Sequence, residues 1–69
     1  LPFARADYED LALRRIVYQA LMQRIALGDR QYLAPATAFV EDTLRRHPNI
    51  PALPSVLRQL QEAQDAIKN

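Results

Sequence analysis

Residues 11–27, LALRRIVYQALMQRIAL, decide what kind of object this chain makes. Set about 100° apart around a helix axis, Leu13, Ile16, Val17, Ala20, Leu21, Ile25 and Leu27 gather on one side. Leu11, Tyr18 and Met22 widen the apolar arc to roughly two thirds of the circumference. Only a wedge of Arg15, Gln19 and Gln23, with the small Ala12 and Ala26, is left for water. A helix this apolar needs cover on two sides, from its own chain or from another molecule.

Working outward, Asp7 is a suitable N-cap, and Glu9 and Asp10 put negative charge in the first turn, where exposed NH groups and the helix dipole favour it. Gly28, the only glycine, can take the left-handed conformation that closes a helix, and Asp29 begins the exit. Arg30 to Ala34 reads as a connector of one loose turn, and Pro35 as the first residue of a second helix. Along that helix Ala36, Phe39, Val40, Thr43, Leu44 and His47 form a buried stripe, which Pro48 ends. Glu41 with Arg45 and Asp42 with Arg46 are i,i+4 pairs in the favourable order. Pro48, Pro51 and Pro54 make a stiff elbow, tacked to the core by Ile50 and Leu53, and Pro54 opens a third helix. Its stripe is Leu53, Val56, Leu57, Leu60, Ala63 and Ile67. Strand alternation and tight Asn-Gly turns are missing throughout.

The reading is therefore a single all-α domain over residues 1–69, with an N-terminal arm at 1–6 and helices at about 7–28, 35–47 and 54–68. It is either a small three-helix bundle or a helical hairpin plus a helix, and dimerisation is one way to complete it. A chain of 69 residues buries only about 60% of its unfolded surface. With no Cys and one His it has neither a disulfide framework nor a zinc site to hold it, so association is the natural supplement.

Composition argues against several functions. Nine basic and eight acidic residues leave a net charge of +1, too little for the field of a dedicated nucleic-acid binder. The arginines are spread over three helices with acids between them. No apolar run approaches the ~20 residues needed to cross a bilayer, and the wedge of helix one is poor in Lys and Arg for a membrane-surface helix. Leu1, Pro2 and Phe3 lack a basic leader and a long apolar core, so no signal peptide is expected. The missing initiator Met points to a fragment or a processed chain, and the expected compartment is the cytoplasm. Catalysis lacks parts. His47 reads as a structural or capping residue, Ser55 as a first-turn residue, and the doublets Glu9-Asp10 and Glu41-Asp42 as solvated helix faces. One glycine cannot build a phosphate-cradling loop, so no cofactor and no metal are expected.

Gly28 and Asp29, followed by Ala36, Val40, Glu41, Leu44, Pro48, Asn49 and a new helix, resemble the second half of a tetratricopeptide-like helical repeat over about residues 28–60. The glycine-to-proline interval is some three residues longer than in that repeat. Short helix-turn-helix segments of uncharacterised bacterial proteins look similar too. The resemblance implies a scaffold that binds another polypeptide and carries no catalytic residues.

The sequence thus reads as a protein-protein interaction module: an adaptor, a chaperone-like protein or a small regulatory subunit. Leu13, Ile16, Val17, Ala20 and Leu21 are expected to pack on helices two and three. Leu11, Arg14, Tyr18, Met22 and Ile25 are then left for a second chain, identical or different. The alternative is a nucleic-acid-binding helical domain.

Overall fold

The computed structural model describes residues 4–68, so the expectation that Pro2 and Phe3 pack or stay loose lies outside the described residues. The protein is all-α: α1 (Arg5–Ala26), a single 3-10 turn (Arg30–Tyr32), α2 (Leu33–Arg46) and α3 (Leu53–Lys68). Among the described residues there is no strand.

α1 starts earlier than the sequence suggests. Ala4, in extended conformation, is the N-cap. Asp7 occupies the third helical position, where its Oδ2 accepts the Ala4 N–H at 3.3 Å. An acid in the first turn serves the dipole from either position, and Arg5 and Ala6 are good helix formers, so the helix takes in two more residues. The other end follows the sequence: Gly28 has φ +93°. Its N–H reaches Ile25 O at 2.9 Å while Asp29 N–H reaches Arg24 O at 3.1 Å, the crossed pair of bonds that closes a helix through a left-handed residue.

α2 begins at Leu33 instead of Pro35 because the first-turn N–H groups have no intrahelical acceptor. A proline in the third position therefore removes nothing. His47 caps the far end, with its N–H on Thr43 O at 2.8 Å, and α3 follows the elbow with Pro54 as its second residue.

α2 is the middle element. It packs on α1 on one side and on α3 on the other, and among the described residues no Cα of α1 comes within 8 Å of one in α3. The buried centre is Leu33, Ala36, Val40 and Leu60, bordered from α1 by Tyr18, Leu21, Met22 and Ile25 and from α3 by Val56, Leu57 and Ala63. The result is an open, elongated assembly measuring 43 × 18 × 14 Å. No helix among the described residues is long and apolar enough to cross a membrane.

One expectation is reversed. Of the residues expected to carry α1 onto the other helices, Leu21 does so, but Leu13, Ile16, Val17 and Ala20 lie exposed on the far side. Tyr18, Met22 and Ile25, expected to face outward, pack against the core. The apolar arc is two stripes, and α2 takes the one that carries Asp10 and Arg14.

Candidate functional site

Three features surround α1: a polar seam with α2, a groove beside the seam, and the outer apolar stripe.

The seam is centred on Arg14, whose side chain is only 14% exposed. Its Nε donates to Asp10 Oδ2 at 2.8 Å, its Nη1 to Thr43 Oγ1 at 2.9 Å and its Nη2 to Asp42 Oδ2 at 2.7 Å. The guanidinium lies over the Phe39 ring, 5.3 Å from the centroid. Burial disfavours its charge, but the bonds to Asp42 and Asp10 outweigh this and raise its pKa. Asp42 is also held by Arg45 and, at 3.1 Å, by Arg46 Nε. Hydrogen bonds from Arg14 first and Arg45 second pull its carboxyl down to about 2.

His47, 5% exposed at the end of α2, donates Nε2–H to Asp10 Oδ2 at 2.6 Å, and its Nδ1 lies 4.0 Å from Asp7 Oδ1. The hydrogen bond from His47, then that from Arg14, lowers the pKa of Asp10. Thr43 Oγ1 in turn donates to Phe39 O at 2.9 Å. Among the described residues no buried side-chain nitrogen or oxygen lacks a hydrogen-bond partner, so the seam's evident role is to fix the register of α1 on α2.

Beside the seam, Leu11, Tyr18, Phe39, Val40, Ile50 and Leu53 line a groove of about 220 Å³ that is apolar apart from Arg14, Arg15 and Thr43 at its edge. It exists because α1 and α3 straddle α2 without meeting, and the proline elbow closes one end. Nothing in it forms a reactive pair. Among the described residues no group of three His, Cys, Asp or Glu side chains is placed to hold a metal ion.

On the opposite side of α1, Leu13, Ile16 and Val17 are 66%, 65% and 45% exposed, with Ala20 exposed between them and Leu27 beyond at 73%. The spacing i, i+3, i+4, i+7 is that of a helix-packing stripe, and among the described residues no helix lies on it. Glu9 and Arg24 lie at its two ends.

Of the residues singled out from sequence, Leu11, Arg14 and Tyr18 come together in the groove, whereas Met22 and Ile25 lie further along α1 within the core. The expectation that Arg14 is left for a second chain is corrected, because it is taken up by Asp10 and Asp42 of its own chain. Sequence reasoning took Asp10 and Asp42 for solvated faces and so missed the seam. The available signal was that two antiparallel helices would bring the Asp10–Arg14 step level with Asp42, Thr43 and His47.

No family model matches the sequence, and no curated protein or solved structure matches it.

Proposed function

We propose that this protein works by contact with another polypeptide and that the contact surface is the outer stripe of α1. The observation carrying this reading is that α1 has two apolar faces and the described residues cover one. Leu13, Ile16 and Val17 form a continuous patch of large side chains in water, and such patches on small proteins mark interaction sites. Arg5, Arg14, Arg45 and Arg46 are engaged by Glu9, Asp10 and Asp42, which supports a protein partner over a nucleic-acid backbone. The enclosure of His47 against Asp10 supports binding over catalysis. The resemblance of about residues 28–60 to a tetratricopeptide-like repeat supports the same class of scaffold.

The test is position-specific photo-cross-linking of the full chain, pure and in extract. A photoreactive residue at Leu13 is expected to give a discrete polypeptide adduct, and one at Gln19, on the wet side of the same helix, none. Equal labelling from both positions, or none from Leu13 in a folded chain, would sink the proposal.

A further inference from the structure

We infer that the occupant of the outer stripe is α1 of a second copy, running antiparallel, with the two-fold axis passing between Ile16 and Val17. This rests on the contact role proposed for that face and adds the partner and its geometry.

The stripe is complementary to its own reverse. A dyad between Ile16 and Val17 sets these two side chains against each other across the axis and places Leu13 against the partner's Ala20, a large side chain over a small one. One turn further out, Glu9 comes opposite the partner's Arg24, and beyond that Ala6 comes opposite the partner's Leu27. Each relation occurs twice. Apolar contact therefore fills the middle, and opposite charges meet toward both ends. A parallel arrangement would oppose Glu9 to Glu9, Arg24 to Arg24 and Leu13 to Leu13, so charge and size both select the antiparallel one. Glu9 has only the exposed neighbour Arg5 at 3.4 Å to leave or share, and Arg24 makes no ion pair among the described residues.

The surface area agrees. The chain exposes 5153 Å². A folded monomer of 7.9 kDa is expected to expose about 4,400 Å², so the open three-helix arrangement, the groove and the outer stripe together leave an excess of roughly 700 Å². A standard interface takes about 800 Å² from each partner. The stripe from Ala6 to Leu27 is about 30 Å long, enough to supply it.

Sedimentation equilibrium over a dilution series tests the inference on the full chain. The unmodified protein should be a dimer that dissociates on dilution. Glu9→Arg alone and Arg24→Glu alone should each weaken it about tenfold, since each reversal acts on two symmetric pairs, and the two together should restore most of the loss. Both positions are exposed on α1, so the helical circular-dichroism signal should not change in any variant. Because the chain has no cysteine, orientation can be read separately. Leu13→Cys combined with Ala20→Cys should oxidise to a covalent dimer, and Leu13→Cys alone should not, its two sulfurs being held roughly 10 Å apart along the axis.

Single reversals without effect, a double reversal that adds to the loss, or ready cross-linking of Leu13→Cys alone would overturn the geometry. A chain monomeric at every concentration whose Leu13 position still cross-links to a different protein would overturn the dimer and leave the contact role standing. A monomer with no adduct from Leu13 would end both.

Discussion

On one side of α1, Tyr18, Leu21, Met22 and Ile25 rest on the core and Leu11 lines the groove, while on the other Leu13, Ile16 and Val17 stand in water. The two sides are similar in apolar content, so hydrophobicity alone does not decide which one folds inward. They differ in polar complement. The inner side carries Asp10 and Arg14, whose hydrogen-bonding groups are matched by Asp42, Thr43 and His47 on α2. The outer side carries Glu9, which meets only the exposed Arg5 of its own helix, and Arg24, which makes no ion pair among the described residues. An apolar stripe can be buried against almost any other, but a guanidinium enclosed between helices must be fully paired, and that requirement sets the orientation.

The largest expected effect comes from forcing charge into the inner side. Tyr18→Glu with Met22→Glu should abolish the cooperative thermal transition, because two carboxylates would then face a centre made of Leu33, Ala36, Val40 and Leu60. A folded double variant with an unchanged melting curve would mean that the inner side had been misassigned. Arg14→Met comes next. It keeps the apolar stem and removes the bonds to Asp10, Thr43 and Asp42, with an expected loss of about 1–3 kcal/mol in urea unfolding. A neutral result would show that packing alone orients the helix.

Acid supplies a smaller and graded effect on the same seam. Asp10 and Asp42 titrate lower in the folded protein than in the unfolded chain, Asp42 at about 2. Their contribution is therefore complete above the ordinary carboxylate range and is lost as pH falls through the folded-state values. Melting temperatures should drop between about pH 4 and pH 2, and Asp42→Asn should flatten that drop. An unchanged slope in the variant would remove Asp42 from the account. Least of all, Leu13→Ala, measured at a dilution where the chain is monomeric, should shift stability by no more than about 0.5 kcal/mol. A core-sized loss there would erase the distinction between the two sides.

Much of this architecture was legible in the sequence where a single physical requirement dominates. Gly28 marks the end of α1 because a left-handed residue is needed there, and the Ala36–Val40–Thr43–His47 stripe marks the buried face of α2 because its opposite side is polar. Helix starts were less legible. Asp7 and Pro35 each satisfy a first-turn position as well as they satisfy the cap or the first residue, so each helix begins a few residues before the expected point. The inward face of α1 was not legible from periodicity at all, since its apolar residues nearly encircle it. It becomes legible only when Asp10 and Arg14 are considered together with Asp42 and His47, a relation that depends on how two helices align and not on spacing within either.

The most direct measurement is the mass and helicity of Ile16→Glu, taken together at a concentration where the unmodified chain is associated. A monomer with its helical signal intact is the predicted result, because Ile16 is 65% exposed in one copy and central to the contact between two. A dimer that survives the substitution, or a chain that unfolds because of it, would contradict the division of α1 into a face for its own fold and a face for a partner.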